Sequence, residues 1–346
     1  MASSLMLPAA SMLRPCITSS PSSCNSRRLA LFHLVTAGGI ALPQFQLFGT
    51  KGLEYLRVGE ANAAENLVQS EKKMFDWVKN DNRRFLHVVY RVGDLEKTIK
   101  FYTECLGMKL LRKRDIPEDR YSNAFLGYGP EESNFTVELT YNYGVDNCDI
   151  GTGFGHFGVA VEDIYKRVDL IKAKGGKVTR EPAPVKDGST VIAFIEDPDG
   201  YNFELLDRRP TSEPLCQVML RVGDLDRAIA FYKKAVGMKL LRKRDNPEQK
   251  YTVAFMGYGP EDKNTVLELT YNYGVTNYDK GNGYVQIAIG TDDVYKTAEA
   301  IKLCGGKIIR EPGPLPGINT KIVACLDPDG WKLAFVDNVD FLKELE

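Results

Sequence analysis

Beyond residue 50 the chain holds two histidines, His87 and His156, each inside a β-branched and aromatic run, LHVVYRV and HFGVAVE. A glutamate follows each one within another apolar run. Glu138 in TVELTY comes 51 residues after His87, and Glu204 in NFELLD comes 48 residues after His156. A carboxylate in such a run is costly to bury unless a partner or a metal compensates its charge. A lone core histidine is ordinarily a hydrogen-bonded filler, and a lone strand glutamate ordinarily faces water. Two matched pairs argue for a shared task instead. Two imidazole nitrogens and two carboxylates converging on one point suit Zn²⁺, Ni²⁺, Fe²⁺ or Mn²⁺, with positions left open for substrate.

The elements that must position these residues come as a repeat. RVGDL stands at 91–95 and 221–225, LLRKRD at 110–115 and 240–245, ELTYNYGV at 138–145 and 268–275, and DPDG at 197–200 and 327–330. Each pair is 130 residues apart, so the body is one domain written twice, over 85–209 and 215–340. The joint between the copies contains Pro210 and Pro214, which suits an exposed linker. Each copy divides again. A strand over 86–92 leads to Asp94, a helix cap, and then to a stripe of Leu95, Ile99, Tyr102 and Leu106 stopped by Gly107. Three strands follow, MKLLRKR, YSNAFLGYG and FTVELTYNY. The segment from His156 to Arg208 repeats that order. The fold class is therefore α+β, four βαβββ modules in two tandem domains, with curved mixed sheets that cup into half-barrels.

Composition sets the outer limits. The 346 residues are 26% charged and 43% hydrophobic, as in a globular protein rather than a disordered or polytopic membrane chain. A net charge of −1 offers no basic surface for nucleic acid. Five cysteines follow residue 100, odd in number and without a CxxC pair, and they read as free thiols. The charge is uneven, because residues 1–53 hold Arg14, Arg27, Arg28 and Lys51 and no acid. This acid-poor, Ser-rich stretch resembles a plant chloroplast transit peptide, assigned to 1–60. The apolar run 29–42 after Arg27-Arg28 is too short to span a bilayer. A twin-Arg signal to the thylakoid lumen, with Ala61-Asn62-Ala63 as cleavage site, is the alternative to the stroma. Residues 61–84 form a linker and N-terminal helix, with 65–80 expected to pack Leu67, Phe75 and Val78 on the body.

LHVVYRVGDL, FYTECLGMKLLRKRD, GYGPE, VELTYNYGV, GFGHFGVAV and DPDGYNFELL, in this order and spacing, resemble the glyoxalase I family of the vicinal-oxygen-chelate superfamily. The resemblance covers both copies. It implies isomerisation of the hemithioacetal of methylglyoxal and glutathione to S-lactoylglutathione. The cofactor would be one divalent metal ion, Zn or Ni, acting as a Lewis acid, with glutathione as co-substrate. It implies that Glu204 is the main base, with Glu268 the facing carboxylate. Arg91 and Arg221 match the family's arginine for a glutathione carboxylate, and Asn142 and Asn272 its glutathione-binding asparagine.

The second copy departs from the first. It has Gln217 where copy one has His87, Glu268 for Glu138, Gln286 for His156 and Ala334 for Glu204. Two full sites are excluded, since Ala334 cannot ligate. Either copy one closes on itself through His87, Glu138, His156 and Glu204, or the quarters pair across copies. The crossed pairing gives one site of His156, Glu204, Gln217 and Glu268. Family dimers build their sites between subunits and accept Gln as first ligand, which favours the crossed arrangement. The expected partner is the small-molecule substrate alone, with no nucleic acid, no membrane and a monomeric chain. Rival readings are a ring-cleaving extradiol dioxygenase using His87, His156 and Glu204 as an iron triad, and a non-catalytic small-molecule-binding module. DPDG reads as a turn rather than a calcium loop, because Pro198 interrupts the ligand pattern.

Overall fold

The computed structural model describes residues 51–185, 190–316 and 319–346, with side chains from Glu65 onward except Leu67. The leader assignment falls mainly on residues 1–50, outside this range. Helix α1 (Lys51–Asn80) is longer than the segment 65–80. Its sequence has no proline and is rich in Ala, Leu, Glu and Lys, so nothing breaks it between Leu53 and Asn80. Within its final turns Val78 is buried and Phe75 half-buried, while the Leu67 side chain lies outside the description.

Four modules of identical order follow. The first is β1 (Phe85–Arg91), α2 (Leu95–Phe101), β2 (Lys109–Ile116), β3 (Tyr121–Gly127) and β4 (Thr136–Asn142). The second is β5 (Phe154–Val161), α3 (Ile164–Ala173), β6 (Lys177–Pro184), β7 (Val191–Glu196) and β8 (Asn202–Asp207). The third is β9 (Leu215–Arg221), α4 (Leu225–Lys234), β10 (Lys239–Asn246), β11 (Tyr251–Gly257) and β12 (Val266–Asn272). The fourth is β13 (Tyr284–Thr291), α5 (Val294–Leu303), β14 (Lys307–Pro314), β15 (Lys321–Leu326) and β16 (Lys332–Asp337), followed by helix α6 (Asn338–Leu345).

Local signals explain each module. Asp94, Asp163, Asp224 and Asp293 cap the four crossover helices, each accepting a backbone N–H from the residue three positions on. Gly107, at φ +80°, stops the first after a five-residue π turn. The DPDG turns are clamps. Asp197 accepts the N–H groups of Asp199 and Tyr201 and the Tyr102 hydroxyl, and Asp327 does the same with Asp329, Trp331 and Tyr232.

The pairing of modules is long-range. One eight-stranded sheet runs β14-β15-β16-β13-β1-β4-β3-β2 and the other β10-β11-β12-β9-β5-β8-β7-β6. Each sheet thus joins one module from either copy, across the antiparallel seams β1·β13 and β5·β9. The sheets are curved and open, not closed barrels. Alternation sorts the side chains: Phe157, Val159, Phe203, Leu205, Val218, Leu220, Leu267 and Leu269 are wholly buried in the core under the helices. Their neighbours in sequence face the opposite, concave side, which forms a cup. Among the described residues no helix is long and apolar enough to cross a membrane.

Candidate metal centre

Four adjacent strands of the second sheet, β12, β9, β5 and β8, each project one donor into the cup. Register brings them together. Met219 pairs with His156 on one side and Glu268 on the other, while Gln217 and Glu204 both flank Gly158. Two neighbouring cross-strand rows therefore carry Glu268, His156, Gln217 and Glu204 on one face. The absence of a side chain at Gly158 makes room, because a Cβ there would lie 2.5 Å from the Gln217 Cβ.

The donor atoms are close-set. His156 Nε2 lies 3.2 Å from Glu204 Oε2 and 3.8 Å from Glu268 Oε2. Gln217 Nε2 lies 2.9 Å from His156 Nε2, 3.0 Å from Glu204 Oε2 and 2.5 Å from Glu268 Oε2. Ligands about 2.1 Å from one ion stand about 3.0 Å apart on an octahedral edge and about 3.4 Å on a tetrahedral one. The observed spacings of 2.5–3.8 Å bracket these values, so the residues fit a divalent cation. Gln217 donates its amide N–H groups to the Glu204 and Glu268 carboxylates beside His156 Nε2, and half a turn of that isosteric group presents Oε1, the atom a cation would take.

Burial and neighbours set the charge. Burial alone would depress the His156 pKa, but the Glu204 hydrogen bond and charge, with the Glu268 charge, raise it above the ordinary value. Burial pushes Glu204 upward too, yet the His156 hydrogen bond and charge bring it below the usual carboxylate range. Glu268 is raised, chiefly by burial. The cavity over these groups is about 700 Å³. Met219, Phe194 and Phe255 supply apolar wall, while Arg221, Asn272, Arg180, Arg242 and Arg244 supply polar and cationic lining. Arg242 stacks on Phe255 at 3.7 Å and pairs with Glu261.

The other residues singled out in the sequence sit elsewhere. His87, Glu138, Gln286 and Ala334 occupy the equivalent strands of the first sheet, β1, β4, β13 and β16. Closure of copy one on itself is thereby excluded, because His87 and His156 lie in different sheets. The iron triad of His87, His156 and Glu204 is not assembled for the same reason. Arg91 and Asn142 lie on β1 and β4 of the first sheet, so of the four glutathione-contact candidates only Arg221 and Asn272 line the cavity. His87 is 3.4 Å from Glu138, but the pair differs from its counterpart. Burial and the charges of Arg112 and Arg84 lower His87 to about 3, and burial raises Glu138 to about 7. With Ala334 in place of a second carboxylate, no second acid offsets burial at His87, and its imidazole is held neutral where His156 is pushed toward the charged form.

The residues that sequence reasoning missed are Gly158, Met219 and the cavity arginines Arg180, Arg242 and Arg244. The LLRKRD motif already carried part of that signal: alternation places Arg242 and Arg244 on one face of a strand.

The chain matches the model of the Glyoxalase/Bleomycin resistance protein/Dioxygenase superfamily twice, over residues 84–205 and 215–335. A probable chloroplastic lactoylglutathione lyase of Arabidopsis thaliana is 69% identical, covering 98% of each chain. A lactoylglutathione lyase of Oryza sativa is 68% identical over 80% of this chain and 97% of its own. The crystal structure of glyoxalase I from Zea mays matches with 70% identity and a TM-score of 0.77, covering 78% of this chain and 98% of that one. Fold, repeat and sequence agree: the chain belongs to the Glyoxalase/Bleomycin resistance protein/Dioxygenase superfamily and, within it, to the lactoylglutathione lyases.

Proposed function

We propose that this lactoylglutathione lyase works through one site per chain, in the cup of the second sheet. The observation that carries the reading is the convergence of four donors, two from each copy, on one cavity of about 700 Å³. His156, Glu204, Gln217 and Glu268 would hold a single divalent ion, Zn or Ni. Bound there, it would supply a Lewis acid for the two vicinal oxygens of the methylglyoxal–glutathione hemithioacetal.

The chain's own residues do the rest. Glu204 takes the proton from the carbon that bears sulfur and returns it to the neighbouring carbon, while the hydroxyl proton passes to the former ketone oxygen, so hydroxy-ketone becomes hydroxy-thioester without net change of atoms. Glu268 faces it across the site. Arg221 and Asn272 hold a glutathione carboxylate, a task for which a planar guanidinium fork is suited. Met219, Phe194 and Phe255 exclude water from the proton in transit.

The acid-poor leader and the chloroplastic relative support import into the chloroplast, with the stroma as destination and residues 1–60 removed. Each sheet already joins both copies, so an internal pseudo-two-fold replaces a dimer axis and the chain works as a monomer. The test is metal analysis with a methylglyoxal/glutathione assay before and after chelation. One equivalent per chain, with activity lost on chelation and restored by Ni²⁺ or Zn²⁺, is expected. Undiminished turnover after complete metal removal would refute the reading.

A further inference from the structure

The first sheet forms a second cup whose binding residues are retained although its metal set is broken. Arg91, Arg112, Arg114, Asn142 and Arg310 stand 130 residues from Arg221, Arg242, Arg244, Asn272 and Arg180, all of which line the first cavity. Ala334, by contrast, stands where Glu204 does. A cup that keeps its carboxylate contacts and lacks a donor for chemistry is built to bind rather than to turn over.

Helix α6 lies in that cup. Phe341, fully buried, packs on Leu86, Ala288, Leu315, Ile322 and Val336, and its ring centre is 6.4 Å from that of His87. Leu315, Ile322 and Val336 are the counterparts of Val185, Ile192 and Leu206 in the first cavity wall. Two acids complete the plug. Glu344 accepts a hydrogen bond from Thr320, the counterpart of cavity residue Thr190, and Asp340 pairs with Lys321. The fit leaves polar atoms unmet: Nη1 of Arg112, Nη1 of Arg114, Nε of Arg310 and Oε1 of Gln286 are buried without a hydrogen bond. Each unmet group is a standing cost, and a carboxylate-bearing ligand would relieve those on the arginines. A cleft of about 420 Å³ remains between the end of α6 and Arg112, Arg114 and Glu131.

We propose that the second cup is a non-catalytic binding site for a glutathione-class peptide, a flexible chain with carboxylates at its ends, and that α6 is the tethered occupant this ligand displaces. The inference rests on the assignment of Arg221 and Asn272 as carboxylate contacts. Affinity at the second cup is reduced by the fraction of time α6 is seated, so loosening the helix tightens binding there.

The test uses the full chain with S-methylglutathione, which has no carbonyl to isomerise. Calorimetry on Phe341→Ala is expected to show a second equivalent bound about 10-fold more tightly than in the unaltered chain. Turnover in the first cup should stay within about twofold, since Phe341 lies on the other sheet. Should Phe341→Ala misfold, hydrogen exchange on the unaltered chain decides: α6 amides must exchange faster at concentrations above those that fill the first cup. A single equivalent, lost in Arg221→Ala, with α6 unmoved by ligand, overturns the second-cup site alone. Binding at neither cup overturns instead the carboxylate reading on which it rests.

Discussion

Gln217→Ala and His87→Ala should fail in opposite ways. Gln217 Nε2 sits 2.5–3.0 Å from His156 Nε2 and from the Glu204 and Glu268 carboxylates, all of them belonging to the proposed ligand set. Altering a group that merely supports a ligand already costs about 10–100-fold in metal affinity or activity, so losing a ligand costs at least that. Without metal, the same change strips Glu204 and Glu268 of their shared N–H donor, at about 1–3 kcal/mol for each buried group left short. His87 lies in the other cup, edge-on to Phe125 at 5.6 Å and near Phe341. Truncating that buried ring leaves a void worth about 2–4 kcal/mol. His87→Ala should therefore lower the unfolding midpoint while holding one metal per chain and near-normal kcat. Gln217→Ala should lose turnover by about 100-fold and release metal on dialysis. The assays are metal content, methylglyoxal/glutathione turnover and chemical denaturation on both variants. If His87→Ala abolishes turnover and Gln217→Ala leaves it intact, the crossed site is wrong.

Three further outcomes follow from the geometry. Gly158→Ala puts a methyl 2.5 Å from the Gln217 stem, so kcat should fall at least about 10-fold with the fold intact, and unchanged kcat would mean the seam gives way freely. Arg221→Ala removes a charged hydrogen bond worth about 1.5–3 kcal/mol, so kcat/KM should drop about 10–150-fold, mainly through KM. Arg221→Lys should recover only part of this, and an equal loss in Arg91→Ala would contradict the placement of substrate. Asp197 has its pKa raised by burial to about 7, so the folded state holds a proton that the unfolded chain has given up above about 4. Stability from this group is therefore present at low pH and lost as pH rises toward 7, by up to about 1.4 kcal/mol per unit. Asp197→Asn keeps an oxygen for the Asp199 and Tyr201 amides and does not titrate. Its stability deficit relative to the unaltered chain should shrink between pH 5 and pH 7, and a constant deficit would rule the mechanism out.

Much of the fold was legible because its determinants are local. Asp94, Asp163, Asp224 and Asp293 announce the helices, β-branched runs mark strands within one or two residues of their ends, and the repeat of 130 residues declares the duplication. The module and its order need nothing beyond caps, alternation and turn residues. The start of α1 was not legible, since Gly59 and Asn62 read as a break and a cap before 65–80 and the helix runs through both.

The sequence by itself determined the module, the count of four, two alternative sets of candidate donors and the impossibility of two full metal sets, because each follows from residue type and spacing. Only the tertiary structure decided that module two joins module three, which brings Gln217 to His156 and leaves His87 with Gln286. Repeated modules offer nearly the same strand edges to either partner, so the choice rests on which assembly buries all faces at once, a property of the whole chain. The occupation of the second cup by α6 is of the same kind. Its eight residues show an amphipathic helix, but which apolar surface covers Phe341 is settled by where β13 to β16 lie.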